Sequence, residues 1–334
     1  LSGGESSTSG RPSVSGDGKM VAFESFQSGV NQILVQNLHS EEVLQVTKPV
    51  SGGLTPNGSS FAPSLSSNGR YLVFHSMASN LVPDDHNGHS DIFLYNLYSQ
   101  NLSKVSNSFL ESDTNGGSFY PSISTDGSVI VFESEATNLT SNSNSSTARQ
   151  IHRFEQNFTN SSGILTQITD GNNDSFDASV DSNGTLIVFT THATNLIDSQ
   201  DTNKNPDVIL WDNRGANPMF YYAGLTQSGV LPQLGATQEA VISSDGSTLA
   251  FQSSSADMVV GKGLSSIQIV DAGLGYTSAT KVQINDINGS GASVSVTVNS
   301  YGEITNYSID SPGQGYVDPI LSLVPDPQAP QPTR

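Results

Sequence analysis

Five copies of one sequence frame, a composition rich in Gly, Ser, Thr and Asn, and the lack of any long apolar run predict an all-β chain. The expected architecture is a β-propeller of five blades, the last incomplete or completed from elsewhere, followed by a small β-sandwich-like domain. The boundaries read from the sequence are 1–264 for the propeller, 265–325 for a G-x-G-Y β domain and 326–334 for an extended Pro-rich tail. With 334 residues the chain is long enough for two cores, and its 34% hydrophobic content suits short strands and many turns better than long helices.

The frame starts as Pro12-Ser13-Val14-Ser15-Gly16-Asp17-Gly18 and ends on Phe23. It returns from Pro63 through Asn68-Gly69 to Phe74, and from Pro121 through Asp126-Gly127 to Phe132. It returns again from Ala178 through Asn183-Gly184 to Phe189, and from Ala240 through Asp245-Gly246 to Phe251. Each time the Gly follows the Pro or Ala by six positions and precedes the Phe by five. Asp-Gly and Asn-Gly supply the positive φ angles of a tight hairpin turn, and the flanking residues alternate apolar and polar, with Phe as core anchor.

A third strand is expected in each unit at Gln32–Val35, Asp91–Tyr95, Gln150–Phe154, Asp207–Trp211 and Ser266–Val270. A fourth is expected at Val43–Val46, Leu102–Val105 and Ile164–Ile168, with an irregular counterpart around Met219–Tyr222. Four antiparallel strands every 50 to 60 residues make a propeller blade.

The string P-S-x-S-x-D/N-G-x-x-x-x-F, followed by Ala78-Ser79-Asn80-Leu81-Val82 or by Ala-Thr-Asn-Leu at 136–139 and 193–196, resembles the TolB-like, WD-like repeat of bacterial propellers. The resemblance covers roughly residues 11–272 and implies the fold; propellers host many activities, so it implies none of them. Ala178 and Ala240 depart from the pattern by replacing Pro, and the first repeat lacks the Asn-Leu segment. Further on, Asp271-Ala272-Gly273-Leu274-Gly275-Tyr276 recurs as Ser311-Pro312-Gly313-Gln314-Gly315-Tyr316. This is similar to a G-x-G-Y β-repeat of phage and bacterial surface proteins. No helical pattern follows either glycine pair, which excludes a dinucleotide fingerprint.

The net charge of −19, with 12 Lys and Arg, disfavours nucleic acid and anionic membrane as partners, and no apolar run approaches the length of a membrane span. Cysteine is absent, Leu1-Ser2-Gly3-Gly4 reads as a mature or trimmed terminus, and N-x-S/T sequons recur, among them Asn57, Asn138 and Asn183. A secreted, extracellular or cell-surface protein, with glycans attached or bound, is the expectation.

No G-x-S-x-G elbow, cysteine nucleophile or H-E-x-x-H is present, and no enzyme is expected. The chemistry that stands out is oxygen-rich. Asp201, Asn203, Asn205 and Asp207, with Asp198 nearby, place ligands at alternate positions, and Asp85, Asn87 and Asp91 repeat the outline. Such ladders can wrap a structural Ca2+, although Asp and Asn also make turns for their own sake. The third repeat has Ser141–Ser146 there instead, without carboxylates.

The function expected from this set is a non-enzymatic structural or interaction protein that assembles head to tail into filaments. Assembly would use an open edge of the fifth blade, the C-terminal domain and a tail docking as Val324–Arg334, unless Thr280–Ile284 completes that blade. The alternative is a glycan-binding or glycan-cleaving propeller. Its carboxylates would be Glu24 and Glu133, at positions held elsewhere by His75, Thr190 and Gln252, all of which alternate away from the Phe face.

Overall fold

The computed structural model describes residues 9–109, 113–141, 148–158, 163–197, 201, 203–224, 236–255, 276–285, 290–314 and 320–324. The chain divides into two compact units, Leu1–Ser255 and Ala256–Arg334, and every element described is a strand. Among the described residues no helix is long and apolar enough to cross a membrane.

The first unit is a series of antiparallel meanders laid down in chain order. The first sheet comprises β1 (Ser9–Val14), β2 (Met20–Gln27), β3 (Val30–Asn37) and β4 (Val43–Gln45). The second comprises β5 (Ser60–Leu65), β6 (Tyr71–Ser76), β7 (Asp91–Asn96) and β8 (Asn101–Lys104). The third comprises β9 (Ser118–Ile123), β10 (Val129–Ser134), β11 (Gln150–Gln156) and β12 (Gly163–Gln167). The fourth comprises β13 (Ser175–Val180), β14 (Leu186–Thr191), β15 (Asp207–Asp212) and β16 (Met219–Tyr222). The fifth sheet is described over β17 (Thr237–Ile242) and β18 (Leu249–Ser253). Its expected third strand, Ser266–Val270, lies outside the described residues.

Successive sheets pack face to face, as propeller blades do. Val73 and Ile92 of the second sheet meet Ile130 and Phe132 of the third; Val131 and Ile151 of the third meet Ile187 and Phe189 of the fourth. Strands β6, β10 and β14 are buried at every position because they have a sheet on each face. This explains their continuous apolar runs, Tyr71–Phe74, Val129–Phe132 and Leu186–Phe189, where alternation would leave one face wet.

The sequence expects all five frame phenylalanines to be buried. Phe74, Phe132 and Phe189 are fully buried, but Phe23 and Phe251 are only half-buried, because the first and fifth sheets each have one neighbouring sheet among the described residues. The expected irregularity at Met219–Tyr222 is also corrected: these residues form β16 and pair with Ile209–Asp212.

The turn chemistry differs from expectation in one respect. Only the glycine of each Asp-Gly or Asn-Gly pair has positive φ (Gly18 70°, Gly69 65°, Gly127 84°, Gly184 70°, Gly246 68°). The acidic or amide residue before it acts as a cap instead. Asp17 Oδ1 accepts from Ser15 Oγ and Lys19 N, and Asn68 Oδ1 from Ser66 Oγ and Arg70 N. The fourth turn moves that task to Asp181, whose Oδ1 accepts from Thr185 N and Leu186 N.

A feature the sequence did not announce recurs in every first strand. Register slips by a bulge between Phe61 and Ser64 in β5, and likewise in β1, β9, β13 and β17. Ala62, Tyr120, Asp177 and Glu239 take φ of 51°, 47°, 54° and 54° at this point, a left-handed conformation uncommon for non-glycine residues.

In the second unit β19 (Lys281–Asn285) pairs with β22 (Ile320–Val324), and β20 (Ser290–Val298) pairs with β21 (Ile304–Gln314). Among the described residues the partner of Lys281–Asn285 is Ile320–Val324, within its own unit, while the fifth-blade strand that Thr280–Ile284 would complete lies outside the described residues. The G-x-G-Y glycines Gly273, Gly275 and Gly315, and the tail 326–334, lie outside the described residues.

Candidate functional site

The two Asp/Asn loops share one pattern at their described residues, with acids six residues apart and an Asn two after the first. Gly88 (φ 69°) and Lys204 (φ 58°) occupy the same left-handed position in each. In the second blade Asp85 and Asp91 are buried, and Lys104 Nζ stands 3.6 and 3.4 Å from their carboxylates. Asp91 also accepts from Asn87 Nδ2 (2.8 Å) and Ser106 Oγ (2.6 Å). Burial and the neighbouring Asp91 push the Asp85 carboxyl up, and Lys104 pulls it down. An ammonium group thus supplies the cation this loop needs.

The fourth blade has the acids without the ammonium. Lys104 lies opposite Phe93 across the β7–β8 ladder, two residues after Asp91; the equivalent of that pair is Tyr222 opposite Ile209, two residues after Asp207. Asp201 and Asp207 are both buried. Asn203 N donates to Asp201 Oδ1 (3.2 Å) and Asn205 N to Asn203 Oδ1 (2.7 Å). Burial, then the charge of Asp201, push Asp207 up to about 7, against a hydrogen bond from Asn203. The same two carboxylates, after burial itself, push Tyr222 up to about 12. The first and third blades avoid the problem with amides: Gln45 Nε2 donates to Gln32 Oε1, and Gln150 Oε1 accepts from Thr169 Oγ1 (2.7 Å). Asp198 and most of Ser141–Ser146 lie outside the described residues, and among the described ones no three His, Asp or Glu side chains converge as a metal site.

Glu24 and Glu133, the candidate glycosidase carboxylates, are buried between blades rather than facing away from packed surfaces. Each reaches the bulge of the following blade. Glu24 Oε1 accepts from Ala62 N (2.8 Å), and Glu133 Oε1 accepts from Asp177 N (3.4 Å). Arg149 holds the other Glu133 oxygen at 3.0 Å and stacks over Phe119 at 5.4 Å. Burial outweighs Arg149 and pushes Glu133 up to about 7. His75 does the equivalent work with its ring, 5.2 Å from that of Tyr120, another bulge residue. Thr190 holds this position in the fourth blade, and its buried Oγ1 has no hydrogen-bond partner. The position after the Phe anchor is therefore an inter-blade latch.

In the fifth blade the latch position has no following blade among the described residues. Gln252 is exposed and donates to Glu239 Oε2 of its own sheet. Two other positions tell the same story. At the first–second and fourth–fifth junctions the Ser of one frame accepts from the residue after the corresponding position in the next: Ser13 Oγ from Leu65 N (2.9 Å), and Ser179 Oγ from Ile242 N (3.3 Å). The unmatched halves of this pair are Val241, which replaces the Ser in the fifth frame, and Val14, the first-frame counterpart of Leu65. They are 57% and 55% exposed.

These features define a propeller-blade array whose buried polar groups serve inter-blade packing. No family model and no curated protein matches the chain. Among solved structures it is similar to TolB from Acinetobacter baumannii, at 18% identity and a TM-score of 0.42, covering 74% of this chain and 55% of that one. It is similar to acylaminoacyl peptidase from Pyrococcus horikoshii, at 12% identity and a TM-score of 0.43, covering 73% and 35%. It is also similar to a chain of a nidogen/laminin complex, at 10% identity and a TM-score of 0.39, covering 72% of this chain and 70% of that one. The chain thus spans about half the length of the Acinetobacter protein.

Proposed function

We propose that this chain is a non-catalytic, secreted scaffold whose copies join head to tail, the fifth blade of one packing on the first blade of the next. The observation that carries the reading is the exposed pair Val241 and Val14. They occupy the two halves of a contact that the first–second and fourth–fifth junctions make within the chain, and both are apolar. A surface that continues its own repeat is complementary by construction, and a contact between two different surfaces propagates unless its rotation closes a ring. The half-buried Phe23 and Phe251 flank the same two faces.

Support for a scaffold over a glycosidase comes from Glu24 and Glu133, whose carboxylates are committed to backbone amides of neighbouring blades. The fourth-blade loop gives the scaffold a structural Ca2+ site, in which the ion takes the place that Lys104 Nζ takes in the second blade. A cell-surface or matrix location suits such a protein.

Sedimentation velocity across a concentration series tests the assembly. Growth with concentration is expected, together with loss of growth in Val14→Asp and in Val241→Asp. A chain that sediments as one species at every concentration, with and without Ca2+, overturns the reading.

A further inference from the structure

A second surface lies at the junction of the second and third blades, where buried Tyr71 packs between them and the rings around it reach solvent. A cavity of about 360 Å³ opens between the second and third blades, lined by Arg70, Tyr71, Asn96, Asn101, Gln156 and Phe158 among others, and Tyr98 stands beside it over Arg70. The Arg70 guanidinium lies 5.3 Å from the Tyr71 ring centre and 5.9 Å from that of Tyr98. Phe158 stacks on Tyr71, with centroids 5.8 Å apart and planes at 30°. Tyr98 and Phe158 are nonetheless 77% and 54% exposed.

The blade does not require this cluster. At the positions of Arg70, Tyr71 and Tyr98 the first repeat carries Lys19, Met20 and His39, and the fourth carries Thr185, Leu186 and Arg214. Those repeats build the same strands without a Tyr or Phe at any of the three positions. What is particular to the second repeat is the combination of exposed ring faces, a planar guanidinium and carboxamides around a concave surface.

We infer that this cleft binds pyranose units of a glycan chain. One face of a pyranose ring is a patch of C–H groups, which packs against an exposed aromatic face; its rim is a row of hydroxyls that both donate and accept. Arg70 offers a fork of donors already held in place by two rings, and the amides of Asn101 and Gln156 offer both donors and acceptors at the rim. Rings held open to solvent at a rigid cleft meet the need for few, fixed polar groups beside apolar surface. The inference stands apart from the head-to-tail assembly, since none of these residues belongs to the terminal faces.

Calorimetric titration of the full chain with cellohexaose, chitohexaose and hexamannuronate tests it, the three probes separating neutral, N-acetylated and acidic pyranoses. Binding of at least one is expected, weakened tenfold or more in Tyr98→Ala and in Phe158→Ala. Both sites are exposed, and circular dichroism checks that each variant keeps the wild-type spectrum. Tyr301→Ala, which removes a 79% exposed ring in the second unit, is expected to bind as the wild type does. Failure of all three sugars to bind overturns the inference, as does binding that the two cleft variants leave unchanged or that Tyr301→Ala weakens equally.

Discussion

Gly127 answers two demands at once. Its φ of 84° disfavours any side chain, and a Cβ there would collide with the Tyr71 ring of the preceding blade. Gly184 meets Val129 and Gly246 meets Leu186 in the same way, so the turn glycine is also a packing residue between blades. Gly127→Ala is expected to cost more than about 1 kcal/mol, measured by denaturant melts, because both terms oppose it.

Asp207 carries the clearest dependence on pH at this scale. Its folded pKa, raised to about 7 from 3.8, means that its contribution to stability is complete below the unfolded value and is lost as pH rises through 7 in the absence of a cation. Glu133 acts in the same direction over a similar window, so the comparison that isolates Asp207 is with Asp207→Asn. In chelator that variant should melt higher than the wild type at pH 8 and show a flatter profile between pH 4 and 8. Ca2+ at a hundred times its dissociation constant should add about 2.7 kcal/mol to the wild type and little to the variant. The converse exchange is Lys104→Tyr. It leaves Asp85 and Asp91 buried without their ammonium, a loss of about 3–5 kcal/mol, and that loss should be recovered in part by Ca2+.

Strands and blades were the most legible level of the sequence. The Gly-to-Phe spacing located each central hairpin, because backbone geometry at a turn and burial at a core anchor are demands local to a dozen residues. The latches were not legible, since Glu24 and Ala62, or Glu133 and Asp177, are brought together only by packing of separate blades. Lys104 was hidden for a similar reason: its partner acids lie across a strand ladder, and only register shows that Tyr222 stands in its place. Burial grades the anchors in a way that spacing alone does not. Phe132→Ala should cost about 3–5 kcal/mol, and Phe23→Ala distinctly less, because Phe23 is only half-buried and among the described residues has a packed sheet on one side. Equal costs in urea melts would contradict the view that the first sheet is terminal.

At the scale of the molecule, the first and fifth sheets each have one neighbouring sheet among the described residues, and Val14 and Val241 on them are exposed. The absence of cysteine makes head-to-tail packing testable by covalent trapping, since any disulfide formed must involve the residues introduced. Val241 and Val14 occupy the positions that at the first–second and fourth–fifth junctions are joined by a backbone-to-Ser hydrogen bond of 2.9 or 3.3 Å, so head-to-tail packing brings the two residues into contact range for thiol cross-linking. The most direct measurement is therefore mild oxidation of the Val14→Cys, Val241→Cys double variant followed by non-reducing electrophoresis. Head-to-tail packing predicts a ladder of dimer, trimer and higher species that collapses on reduction, with each single variant giving dimer at most. A double variant that stays monomeric, whether cross-linked within its own chain or not at all, would contradict it.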